Sequence, residues 1–125
     1  MRATDFPRPE NDNGWGVHGD ANVANPQFQD DLTLLRRGNL KWYKVVACAD
    51  NMVSQCKALL DDGVFPVVRL WRDRPNPGSL PERDREAVKK YIDVGVKYFE
   101  TDNEPNLPCE WLGNRLPGIE TLTNS

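Results

Sequence analysis

Residues 41–71 read KWYKVVACADNMVSQCKALLDDGVFPVVRLW. The run from Lys41 to Ala47 is aromatic and β-branched, which suits a pleated, half-buried strand. Met52, Cys56 and Leu59 then recur at i, i+4 and i+7, with Val53 and Leu60 alongside, the spacing that gathers apolar side chains on one face of a helix. Gly63 stands where the chain must turn out of that helix, because glycine takes positive φ without a Cβ clash. A second β-branched run, Val64 to Trp71, follows at once, with Pro66 expected at its start because proline donates nothing to a ladder. Two strands too apolar to keep one wet face, joined by an amphipathic helix, make a β-α-β unit of parallel sheet.

The same alternation extends in both directions. Upstream, the short run Trp15-Gly16-Val17-His18-Gly19 reads as a strand. Asn25 is suited to cap the following helix and Pro26 to open it, Phe28, Leu32 and Leu35 form its inner face, and Gly38 is expected to stop it. Downstream, Ser79-Leu80-Pro81-Glu82 has the spacing of a capping box. Val88, Tyr91 and Ile92 supply the inner face of a third helix, Glu86 and Lys90 sit one turn apart on its outer face, and Gly95 ends it. A fourth strand is expected over Val96 to Asn103.

The fold class is therefore α/β, with the order β-α-β-α-β-α-β. An open doubly wound sheet usually carries a glycine-rich first turn, and Gly19-Asp20-Ala21-Asn22-Val23-Ala24 supplies neither GxGxxG nor GxxxxGK[ST]. The pattern leans instead to the first four β/α units of a (β/α)8 (TIM) barrel, a partial barrel, since a whole one takes about 250 residues. Residues 1–13, polar and without periodicity, read as a poorly structured leader, and residues 14–125 as the partial barrel. With 16 basic and 19 acidic residues the chain lacks the cationic excess of a phosphate-binding surface, which argues against a nucleic-acid partner. No apolar stretch is long enough to span a bilayer, so no membrane partner is expected. Cys48, Cys56 and Cys109 lack CxxC spacing and His18 is the single histidine, so neither a metal site nor a cofactor is expected.

The strand ends are unusually polar. Arg69 lies in the third strand, followed by Trp71-Arg72-Asp73, and the fourth closes on Glu100-Thr101-Asp102-Asn103-Glu104-Pro105-Asn106. Carboxylates in a strand fit for burial cost several kcal/mol unless paired. If that strand stays regular, Glu100, Asp102 and Glu104 share one face. Either a bulge near Thr101 to Asn103 or a basic partner such as Arg69 or Lys44 is then expected.

Tyr98-Phe99-Glu100-Thr101-Asp102-Asn103-Glu104-Pro105-Asn106 resembles the fourth-strand motif of the clan A glycoside hydrolases, retaining glycosidases built on (β/α)8 barrels. The resemblance covers roughly residues 14 to 106 and is specific only in this short motif. It implies that Glu104 is the general acid/base and that Asn103 hydrogen-bonds the sugar 2-hydroxyl. It also implies that Arg69 helps hold the nucleophile ionised, and that His18 and Trp71 line the sugar subsite. Each residue has a plainer reading beside that one. Glu104 reads also as a surface carboxylate, Arg69 as an ion-pair partner of Glu100 or Asp102, and His18 as a satisfied polar residue. Trp111 either stacks on a sugar or packs its loop onto the barrel rim.

Retention needs a second carboxylate, which the family takes from a seventh strand, so the nucleophile is expected to lie outside these 125 residues. The function expected is hydrolysis of O-glycosidic bonds on a carbohydrate substrate, completed by a missing C-terminal half-barrel or by self-association. The alternative is a non-catalytic carbohydrate-binding or scaffold protein derived from a barrel. Neither the sugar nor the compartment is legible.

Overall fold

A computed structural model describes residues 6–19, 25–71 and 80–100, apart from the side chains of residues 25 and 26. Its elements run β1 (Gly16–His18), α1 (Asn25–Gly38), β2 (Trp42–Ala47), α2 (Val53–Asp61), β3 (Phe65–Leu70), α3 (Glu82–Asp93) and β4 (Tyr98–Glu100). The strands form one parallel sheet in the order β1-β2-β3-β4. Among the described residues no helix is long and apolar enough to cross a membrane.

Alternation divides the sheet into two unlike faces. Tyr43, Val45 and Ala47 of β2, with Val68 and Leu70 of β3, join a single core with Phe28, Leu32 and Leu35 of α1, Cys56 and Leu59 of α2, and Ala87 and Tyr91 of α3. All three helices therefore cover one face. The other face carries Trp42, Lys44 and Val46 of β2, Phe65, Val67 and Arg69 of β3, and Tyr98 and Glu100 of β4, by the register Lys44↔Val67↔Tyr98 and Val46↔Arg69↔Glu100. Burial of a large apolar side chain is worth roughly 1.5–3 kcal/mol. The helix-covered face, with Val45 and Val68 fully enclosed, is where the sheet gains that stability.

Each helix passes into the next strand through the same turn. In α2 the Gly63 amide donates to Leu60 O and Val64 to Leu59 O, both at 2.9 Å, with Gly63 at φ +73. In α3 Gly95 donates to Ile92 O and Val96 to Tyr91 O, with Gly95 at φ +106. These paired bonds satisfy the last helical carbonyls and reverse the chain toward the sheet. The first helix departs from expectation, because Gly38 is its last residue and Asn39 takes the left-handed conformation at φ +47. Asparagine tolerates that region better than other residues with a Cβ.

Of the expectations for α3, one lies outside the described residues and one is corrected. The N-cap of α3 is Pro81, without a side-chain cap hydrogen bond, and Ser79, on which the expected capping box depends, lies outside the described residues. Ile92 faces out, 54% exposed, and Asp84 and Ala87 join Tyr91 on the inner side. On the outer face Glu86 pairs with Lys89, and the Lys90 ammonium reaches across to Asp50. Pro66 sits second in β3 on the edge facing β4, where pairing begins only at Val67↔Tyr98, so its missing amide removes no ladder bond.

The chain before β1 has no helix or strand over residues 6–13, yet it is bonded to the sheet. Asp12 accepts from the Trp42 indole at 2.8 Å, Tyr98 donates its hydroxyl to Pro7 O, and Asn13 donates to Asn39 O at 2.8 Å. Gly16 is required by close approach, because a Cβ there would lie 2.6 Å from Trp42 Cβ.

Tyr91 spans the core to hold the loop after β2. Its hydroxyl donates to Ala49 O at 2.9 Å and accepts from the Met52 amide at 3.2 Å, while Ala49 sits at φ +55. Tyr91→Phe should strand two buried backbone groups and lower unfolding free energy by about 2 kcal/mol, read as a lower urea midpoint with unchanged slope. Burial pushes the Cys56 thiol up from its ordinary 9.0 to about 12. The unfolded thiol thus loses its proton first, so this stability is fully present below pH 9 and is lost as pH rises toward 12. Urea midpoints followed through that window should fall more steeply for the native chain than for Cys56→Val.

Candidate functional site

The face free of helices grades from aromatic to charged along the strands. At the amino ends, Trp42 meets Phe65 and Tyr98 edge to face, at ring-centre distances of 5.6 and 5.4 Å. The Asp12 carboxylate beneath them is held below the usual range chiefly by the Gly14 amide, against the opposing effect of burial, with help from the Trp42 indole and Arg8. One step up, the register sets His18 beside Lys44, Val67 and Tyr98, and above that it sets Val46 beside Arg69 and Glu100. The charged groups thus collect toward the carboxyl ends, where parallel α/β proteins build their sites because loops from several strands converge there.

Glu100 is the hub of that cluster. Lys44 Nζ lies 2.5 Å from one carboxylate oxygen and Arg69 Nε 3.8 Å from the other. The basic partners expected for this carboxylate are therefore both present, and the apolar strand carries no free charge at position 100. Arg69 Nε is buried and makes no hydrogen bond among the described residues, so it meets Glu100 by charge alone. The Arg69 guanidinium also lies 5.6 Å from the centre of the Trp71 ring, within the range of a cation–π contact. Trp71 itself, just past β3, is 52% exposed.

The residues singled out from sequence divide three ways. Arg69 and Trp71 are brought together with Glu100 and Lys44. His18 shares their face but stands on β1, exposed, with its Nδ1 2.6 Å from Gly19 O, so that this nitrogen carries the proton. Asn103, Glu104, Asp102 and Trp111 lie outside the described residues, as do Arg72 and Asp73.

One concave feature adjoins the cluster through Trp71, and another lies on the helix side of the sheet next to β1. Past the ends of β2 and β3, a pocket of about 190 Å³ is lined among the described residues by Val46, Ala47, Cys48 and Trp71. Cys48 is exposed and free, with Arg83 Nη2 3.6 Å from its sulfur. Sequence reasoning passed over Cys48 as a site residue, although its place immediately after a strand end was the signal. Beside β1, a cleft of about 320 Å³ lies under Val17, His18 and Leu34, where Tyr43 donates its hydroxyl to Asp31. Among the described residues no three His, Cys, Asp or Glu side chains converge as metal ligands.

No family model matches the chain, and no curated protein or solved structure matches it either.

The ion pair is partly shielded, so its net worth lies near the modest end. A double-mutant cycle of Lys44→Met and Glu100→Gln should give a coupling of about 1 kcal/mol, shrinking with added salt. A coupling of zero at low salt would show that the two charges are independently solvated.

Proposed function

We propose that the chain is glycoside hydrolase-like, comprising the first four β/α units of a (β/α)8 barrel, and that Glu104 is the general acid/base of a retaining hydrolysis of O-glycosidic bonds. The observation that carries the reading is the Lys44–Glu100–Arg69 cluster, which stands on the helix-free face toward the carboxyl ends of parallel strands, four residues ahead of Glu104. Sequential strand order with every described helix on one face supports it too, because such an arrangement continues naturally into a barrel whose lumen is the other face.

On this reading the Glu104 carboxyl gives its proton to the glycosidic oxygen as a second carboxylate, about 5–5.5 Å away, attacks the anomeric carbon. Glu104, now ionised, takes a proton from the water that releases the sugar. Asn103 bonds the 2-hydroxyl, a contact that tightens as positive charge develops on the ring. Arg69 keeps the attacking carboxylate ionised through a fixed charge that Glu100 only partly neutralises. The resemblance assigns that carboxylate to a seventh strand, supplied by a further half-barrel.

A non-catalytic carbohydrate-binding protein is the second reading. It is favoured by one feature: Glu100, the described carboxylate on this face, is held by two cations, while an exposed tryptophan stands ready to stack.

In an assembly that turns over aryl glycosides, Glu104→Gln should slow hydrolysis of substrates with poor leaving groups by roughly 10²–10⁴, and of good leaving groups far less in the first step. Full activity of Glu104→Gln on unactivated glycosides would remove the acid/base assignment. Sugar binding without turnover in any assembly would favour the second reading.

A further inference from the structure

We propose that residues 7–13 are a detachable strap that closes the amino end of the helix-free face, with the Asp12 carboxylate as its pin and acid as its release. The strap stands independently of the glycoside reading, which gives none of its residues a role. It crosses the sheet from β4 to β1. Pro7 O accepts the Tyr98 hydroxyl of β4, Asp12 meets the Trp42 indole of β2, Asn13 donates to Asn39 O ahead of β2, and the chain then enters β1 at Gly16. The two side chains that it bonds on this face, Trp42 and Tyr98, meet edge to face at 5.4 Å, and Pro9, between the two anchor points, is buried.

Asp12 concentrates the bonds. One carboxylate oxygen accepts the Trp42 indole and the Gly14 amide, both at 2.8 Å, and the other takes the Arg8 guanidinium through Nε at 2.6 Å and Nη2 at 2.5 Å. The side chain is only 6% exposed, so these four donors stand in for the water that the charge has lost. Three of them belong to the segment itself and one to the sheet. Asp12 therefore folds the strap on itself and fastens it to β2 in one step.

Among the described residues Arg8 is the charged group that acts on Asp12, while β2 presents an uncharged indole and β4 the Tyr98 hydroxyl. The Gly14 amide chiefly, with the indole and Arg8, holds the carboxyl below its ordinary 3.8. A carboxyl lowered by folding contributes stability that is fully present above 3.8 and is lost as pH falls through the lower value of the strapped form. The apolar core lies on the other face under the helices, so the strap can open without it, as a local unit of low stability.

The test is hydrogen exchange of the Trp42 indole N–H, followed by NMR in whatever assembly the chain forms. It is expressed as protection relative to free tryptophan at the same pH, with the amides of the buried Val45 and Val68 reporting on the core. In the native chain, indole protection is expected to fall below about pH 4 while the two valine amides stay protected. Asp12→Asn turns an amide donor toward either Arg8 or the indole, and is expected to cut indole protection about tenfold or more at neutral pH and to remove its acid dependence. Tyr98→Phe frees the Pro7 end and is expected to cut it about threefold. Indole protection lost only together with the valine amides would overturn the strap, because the segment would then open only with the core. Equal indole protection in the native chain and Asp12→Asn at every pH would overturn the pin. Should Asp12→Asn fail to fold, the acid series of the native chain and of Tyr98→Phe decides between these outcomes.

Discussion

The packing of three helices on a single face of the sheet is the constraint on which the other features depend. Val45 and Val68 are fully buried in one core with the helix side chains Leu35, Leu59, Cys56 and Tyr91. A parallel sheet normally has both faces covered. With the apolar residues of β2 and β3 committed to one side, alternation delivers the remaining residues to the other side as a set. That set includes Lys44, Arg69 and Glu100, which no apolar layer could hold unpaired.

The helix ends convert this packing into a register. Three helices close with paired reverse bonds at Asn39, Gly63 and Gly95, and each is followed within a few residues by a strand. Because the turns are alike, successive strands enter the sheet in the same direction and at related heights. Trp42 therefore stands beside Phe65, and Val46 beside Arg69 and Glu100. The gradient from aromatic to charged residues follows from this common entry level. The aromatic end is tied to the segment before β1 by Asp12 and Pro7, and the charged end meets the loops.

At the charged end, three charges share one shielded surface with two cations against one carboxylate. Such a cluster is a poor source of stability, because each ion loses hydration that the pairing only partly restores. The same cluster holds Trp71 through the contact of its ring with Arg69. The clamp from α3 to the loop after β2 serves a similar end, holding Ala49 in a left-handed conformation that an isolated loop would avoid.

The sequence by itself determined the elements and their inner faces wherever periodicity was strong. Phe28, Leu32, Leu35, Met52, Cys56 and Leu59 are all buried as their spacing requires, since helical and strand periods are local properties of the chain. It also marked Arg69 and Glu100 as charged residues out of place in apolar strands. Only the tertiary structure decided that Tyr43 faces the helices while Val46 faces the cluster, because that choice depends on register with β3, which no local pattern encodes. Lys44 and Arg69 were legible as candidate partners of Glu100, but that both reach it, and that Cys48 and Trp71 line one pocket, was decided by the register. The exit of α1 at Asn39 rather than Gly38, and the outward turn of Ile92, were likewise decided by where each helix had to stop and lean to reach the sheet.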